Sequence, residues 1–337
     1  MDIQQIKNML NSNKYDFLRT NIHLGNNIIL LTFGGSHSYG TNTDDSDVDI
    51  RGIAIERKNE ILGLSNFEQF TNNQTDTIIY ALRKVINLML NCNPNVIEML
   101  GVKEDHLFIL TEEGKLLRDN MNLFLSKKVI NSFGGYATAQ LRRLQNSLAR
   151  DNYPQIEKEK HILGSIMNQI KHLKQHYNNF TNEEIKLYLD KSNKEDFEEE
   201  IFMDIKLTHY PLRDFKNIYS EMSEVIKGYG KLNHRNRKKT ELSLHKHAMH
   251  LIRLLIMGAE ILEGKPVQTY RENDREFLLN IRNGKYTYDE IFQMVDEYDN
   301  KFKYAADNTN LPAKPNFNQI EELVIAINES RLRNEFN

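Results

Sequence analysis

The chain has 337 residues, 27% of them charged and 39% hydrophobic, with a formal net charge of −3. It therefore carries no global basic field of the kind that draws nucleic acid to a whole surface, and any such partner has to meet a local patch. One cysteine, Cys92, excludes an internal disulfide and any multi-cysteine zinc site and points to a reducing cytoplasm, while a length beyond the usual limit of one core predicts two domains.

In chain order, the polar amino terminus "MDIQQIKNMLNSNK" lacks the apolar run of a secretory signal. "NNIILLTF", stopped by Gly34 and Gly35, reads as a buried strand. "DVDIRGIAIE" alternates and reads as a second strand, with a possible bulge at Gly52, and "NFEQFT" is a weaker third. "TDTIIYALRKVINLMLNCNPNVIEML" places Ile78, Ile79, Leu82, Val85, Ile86 and Met89 at helical spacing behind a Thr75/Asp76 cap, and breaks at Pro94. Beyond about residue 112 the amphipathic segments all read as helices, including "NEEIKLYLDKS" and "EDFEEEIFMDIKL". "HLIRLLIMGAEIL" is interrupted by Arg253 and Glu260, so no membrane span is expected. These elements predict an α+β protein: a small mixed sheet with flanking helices over residues 1–111, then a mainly helical domain over 112–337.

The stretch "FGGSHSYGTNTDDSDVDIRG" carries four glycines, three serines and four aspartates. Asp47 and Asp49, two apart on a strand, share one face, and like charges so placed are tolerated when a divalent cation sits between them. Hard oxygen ligands suit Mg²⁺ or Mn²⁺, which take their remaining ligands from water and phosphate. Upstream, Gly34, Gly35 and Ser36 at a strand end let backbone N–H groups approach a phosphate, and a short helix starting there would add its positive end. A calcium loop would need Gly where Ile50 stands, a serine-hydrolase elbow would need Gly where Ser38 stands, and the P-loop pattern is absent. The remaining alternative is a solvated acidic hairpin.

"GGSHSYG…SDVDIRG" resembles the G-S…D-x-D signature of the DNA polymerase β-like nucleotidyltransferase superfamily. "TDTIIYALRKVINLMLNCNPNVIEML" and "KHAMHLIRLLIMGAEILEGK…LLNIRNGKYTYDE" resemble, more narrowly, its RNA-repair-pathway-associated, YcgL/RlaP-like group, and the resemblance runs from about Ile28 to Glu290. It implies that Gly35 and Ser36 hold a triphosphate, ATP being the expected one, and that Asp47 and Asp49 bind two metal ions for in-line displacement of pyrophosphate. It also implies a third carboxylate from a neighbouring strand. Asp76 is the choice, with helix capping as its alternative reading and Glu68 in reserve.

Arg51 shares the face of the aspartates, where it could neutralise phosphate or pair with Asp49. Arg83 and Lys84 fall about two turns into the expected helix; Lys84 is a candidate nucleotide contact, with surface solvation as the alternative. Lys246, His250 and Arg253 lie on one helix face, either as a cationic stripe meeting the nucleotide or as a polar seam paired with acidic helices. Lys231, Arg235, Arg237, Lys238 and Lys239 form a basic segment that could hold an RNA backbone or be a solvated surface. The expected reaction is NMP transfer from an NTP to an acceptor hydroxyl, an RNA 3′ end by the family's association. The alternatives are a protein side chain as acceptor, or a nucleotide-binding regulator without turnover. Oligomeric state has no signature in the sequence.

Overall fold

A computed structural model describes residues 3–151, 160, 163–164, 185–192, 199–213, 215–216, 219–220, 222–223, 226–227 and 241–334. The chain enters through α1 (Ile3–Leu10) and α2 (Phe17–Thr20), whose Ile6, Leu10 and Leu18 join Leu31, Phe33, Ile50 and Ile79 in one core cluster. The last four belong to a five-stranded sheet of order β3-β4-β2-β1-β5. β1 (Ile28–Phe33) is buried at every position, as its unbroken apolar run requires of a strand flanked on both sides. It pairs antiparallel with β2 (Ile50–Ala54) and with β5 (Leu107–Leu110). β2 pairs parallel with β4 (Thr77–Ala81), which pairs antiparallel with β3 (Gln69–Asn72). Gly52 keeps regular register opposite Leu31, and the irregularity falls instead at Ile28/Leu30 of β1.

Three helices follow the strands closely: α3 (Gly35–Tyr39) after β1, α4 (Lys58–Ile61) after β2 and α5 (Leu82–Met89) after β4. The expected helix from Thr75 is thus a strand for its first five residues, Thr77–Ala81. Ile78 and Ile79 satisfy a helical period by sequence, but β2 is available to take their backbone hydrogen bonds, and alternate burial of Thr77, Ile79 and Ala81 is the strand signature. α6 (Pro94–Leu100) restarts at Pro94 with Asn93 as its cap, and α7 (Glu112–Asp119) and α8 (Lys128–Asp151) continue. Near the carboxyl end come α9 (Glu241–Leu262), α10 (Arg275–Arg282), α11 (Tyr288–Asn308) and α12 (Phe317–Asn334). The architecture is α+β: a mixed sheet with flanking helices and a helical carboxyl-terminal region.

By packing, Met1–Arg142 and His245–Asn337 form one compact unit and Arg143–Leu244 a second. The expected division at 111/112 falls inside the first unit, because the chain from His245 onward clusters with residues 1–142. The second unit contains a hairpin of β6 (Ile185–Lys191) and β7 (Glu199–Ile205), where helices are expected from the sequence. Its register sets Ile185 opposite Ile205, Leu187 opposite Met203 and Leu189 opposite Ile201, a period of two that the charged residues between them mask. Most of the expected helix at 156–176 lies outside the described residues. Among the described residues no helix is long and apolar enough to cross a membrane.

Candidate active site

The site begins where β1 ends. Gly34 donates its N–H to the Asp49 carbonyl at 2.8 Å, extending the β1/β2 ladder by one bond. That bond brings the Asp49 and Arg51 side chains over the glycines. A β-carbon on Gly34 would lie 2.6 Å from Arg51 Cγ, and one on Gly35 only 1.9 Å from Asp49 Oδ2. Gly35 also sits at φ +56, a conformation that side chains disfavour. Two bare residues are therefore required here because two functional side chains occupy the space.

Asp76 arrives from the other side. It closes the turn into β4 at φ +43, an unusual backbone state for a residue with a side chain. Its carbonyl accepts from Ile50 N at 3.1 Å and from Arg51 Nη1 at 2.5 Å, which holds the turn against β2. Arg51 Nη2 then reaches Asp76 Oδ1 at 3.1 Å and Asp49 Oδ1 at 3.3 Å, and the two carboxyl groups hydrogen-bond each other. Burial, followed by that hydrogen bond, pushes Asp49 up to about 6. The same hydrogen bond, accepted by the more exposed partner, pulls Asp76 below its usual range. Lys246, exposed on α9, lies close enough to both carboxylates to favour their charged forms. The capping alternative for Asp76 fails, because α5 starts at Leu82 behind Ala81.

Asp47 is not gathered into this pair. It is exposed, ahead of the strand pairing, and among the described residues no three His, Cys, Asp or Glu side chains stand together as a metal site. The loop that carries it is shaped from a distance: Arg282 donates to the Thr41 carbonyl and, at 3.0 Å, to Ser46 Oγ, while Arg275 Nε donates to the Gly40 carbonyl at 2.7 Å. Asp49 and Asp76 by themselves supply two hard oxygen donors whose mutual repulsion a cation would relieve. In donor chemistry they fit Mg²⁺ or Mn²⁺ completed by water and phosphate.

The other expected residues separate by position. Ser36 is buried, and it is the Ser38 hydroxyl that turns to the glycine bend, donating to the Gly35 carbonyl at 2.7 Å. Lys84 and Glu68 pair with each other at 3.4 Å on the surface. The stripe on α9 divides. Burial and the neighbouring cations Arg253 and Lys246 hold His250 well below the ordinary imidazole range, so it is neutral. Arg253, 4% exposed, is committed to Glu98 Oε1 at 2.6 Å and lies over the Tyr39 ring at 3.6 Å. Tyr39 in turn donates its hydroxyl to Glu98 Oε2 at 2.5 Å, which ties α3, α6 and α9 together beneath the site. Arg253 is thus a polar seam and only Lys246 faces out. The basic segment at 231–239 lies outside the described residues.

Beside the bend opens a cleft of about 210 Å³ between β4 and α6, lined by Gly34, Gly35, Arg51, Tyr80, Asn95 and Glu98 among others. A larger cavity of about 630 Å³ sits between α1, α2 and β5, with Lys7, Arg19 and Phe108 in its wall. It shares no residue with the cleft, and only the smaller one is lined by the glycine bend and Arg51, the groups that touch the Asp49 carboxylate. Tyr80, Asn95, Glu98, Arg275 and Arg282 escape sequence reasoning. Glu98 and Arg253 fall within the two motif-like stretches "NPNVIE" and "HLIRL", and nothing in either stretch alone announces that they pair.

The sequence model of the RNA repair pathway DNA polymerase beta family, RlaP, matches residues 4–170, so over that span the chain is similar to the polymerase beta-like nucleotidyltransferases. No curated protein and no solved structure matches the chain.

Proposed function

We propose that the protein transfers a nucleoside monophosphate from an NTP to the 3′-hydroxyl of an RNA, with release of pyrophosphate. The observation that carries this reading is the meeting of Asp49 and Asp76, from two different strands, at the Gly34/Gly35 bend. Asp49 and Asp76, with the exposed Asp47 as a further donor, would hold Mg²⁺ or Mn²⁺, which when bound supplies charge neutralisation at the attacking oxygen and the α-phosphate. The glycine bend admits the triphosphate close to the backbone, and Lys246 and Arg51 offer positive charge to it. The acceptor oxygen bonds to the α-phosphorus as the bond from that phosphorus to the β-bridging oxygen breaks. Asp76, held in its ionised form by its hydrogen bond and by Arg51, takes the hydroxyl proton. The family's place in RNA repair favours RNA as acceptor, and the single buried cysteine suits a reducing cytoplasm.

Purified protein incubated with each α-labelled NTP, Mg²⁺ or Mn²⁺ and total RNA tests the proposal. Label in RNA supports it, label in protein supports protein nucleotidylation, and tight NTP binding without pyrophosphate release supports a regulator. Asp47→Ala with Asp49→Ala is expected to lower transfer at least about 100-fold while leaving circular dichroism unchanged. Undiminished transfer by that variant overturns the site.

A further inference from the structure

The polar groups of the β4/α6 cleft divide into those already occupied and those left over. Glu98 has one oxygen on Arg253 and the other on Tyr39, Ser38 is bonded to the Gly35 carbonyl, and Arg51 is taken by the carboxylate pair. Asn95 and Tyr80 remain. The Asn95 side chain is exposed on the first turn of α6 and makes no hydrogen bond among the described residues, its backbone N–H alone being taken by Asn93 Oδ1 at 3.0 Å. Tyr80 stands on the same face of β4 as Ile78, half-buried, its hydroxyl likewise without a hydrogen bond among the described residues. The two come from opposite walls, an aromatic face on the sheet side and a carboxamide on the helix side.

Volume and chemistry narrow the occupant. At about 210 Å³ the space is below the roughly 300–1,000 Å³ that whole drug-sized ligands occupy, which leaves room for one ring system. A carboxamide offers an acceptor and a donor side by side. That is the complement of adenine's amino group and adjacent ring nitrogen, whereas guanine presents two acceptors on the corresponding edge. An aromatic ring across from it gives a stacking platform that every base can use. Arg51 and the glycine bend at one end of the cleft are the groups that would meet the phosphates of the same molecule.

We infer that this cleft selects the base of the incoming nucleotide, with Asn95 reading the edge of an adenine and Tyr80 stacking on its face. The inference rests on the nucleotidyl-transfer reading and deepens it by naming the base. Equilibrium binding of non-hydrolysable ATP and GTP analogues with Mg²⁺ tests it without need of turnover. Wild type should favour the ATP analogue by about 10-fold or more, the discrimination that one bidentate base contact supplies. Asn95→Ala, which removes donor and acceptor together, should cut that ratio about 10-fold, to near parity between the two analogues. Tyr80→Ala should weaken both analogues alike, by about 5- to 100-fold. Asn95→Ala removes no hydrogen bond made by the side chain and puts a strong helix former in the first helical turn, so the fold tolerates it.

A wild-type preference for another base, or a ratio that Asn95→Ala leaves unmoved, overturns the inference. If the ratio moves as expected while no NMP is transferred to any acceptor, the base pocket stands and the transferase reading falls. If NMP is transferred but the ratio ignores Asn95, the reverse holds. If neither analogue binds, both fall.

Discussion

Asp49 is charged at a cost. Its folded pKa of about 6 stands above the usual carboxylate value, so its contribution to stability is full below pH 4 or so and is lost as pH rises through about 6. Asp76, shifted downward, is ionised in the folded state throughout that window and in the unfolded state above about pH 5, so it offsets the effect only at the acid end. In chelator, wild type is therefore expected to lose up to about 3 kcal/mol between pH 4 and pH 7. Asn at position 49 should abolish that part of the pH dependence, as urea denaturation at a series of pH values would show. Divalent cation should restore stability to wild type and do little for Asp49→Asn. Gly35 makes a second case. Alanine there combines strain at φ +56 with a contact that forces the Asp49 carboxylate aside, so transfer should fall by at least about 100-fold. Stability should fall by only about 1–3 kcal/mol. An active Gly35→Ala variant would show that the close packing of bend and carboxylate is incidental.

Between elements, the Tyr39, Glu98 and Arg253 cluster fastens α3, α6 and α9 with one buried ion pair and a charge-assisted hydrogen bond. Arg253→Met would leave the Glu98 carboxylate buried with only Tyr39 for company. The expected cost is about 3–5 kcal/mol by urea denaturation, and a smaller loss would mean that water enters to replace the guanidinium. Arg282 is the corresponding fastener for the acidic loop. Its removal to alanine should speed amide hydrogen exchange over Thr41–Ser46 while exchange in β1 and β2 stays slow. At this scale the sequence was partly legible. β1 announced itself because an apolar run ended by two glycines has few other readings. β4 and the β6/β7 hairpin did not, because Ile78 and Ile79, like Leu187 and Leu189, satisfy helical and extended patterns alike until a neighbouring strand accepts their hydrogen bonds.

On the scale of the molecule, the sheet and the helices from 245 onward form one packed unit, although about a hundred residues of chain separate them. A chain ending at residue 111 would lack Arg253, Arg275, Arg282 and the buried face of α9, and would leave Glu98 without its cation. Such a fragment is expected not to fold cooperatively, which a flat near-ultraviolet circular dichroism spectrum and collapsed amide dispersion would show. What the sequence determined by itself was local: the strand and glycine bend at residues 28–35, the closely spaced aspartates, the amphipathic helices, and through them the nucleotidyltransferase resemblance. Turn chemistry and short-range periodicity are written within a few residues of where they act. What only tertiary structure decided was which charges meet. Asp76 joins Asp49 because β2 and β4 run parallel side by side, Arg253 is spent on Glu98 and not on a ligand, and Asp47 waits on a loop shaped by α10. Those pairings depend on strand order and helix packing between distant segments, and no short-range pattern encodes them.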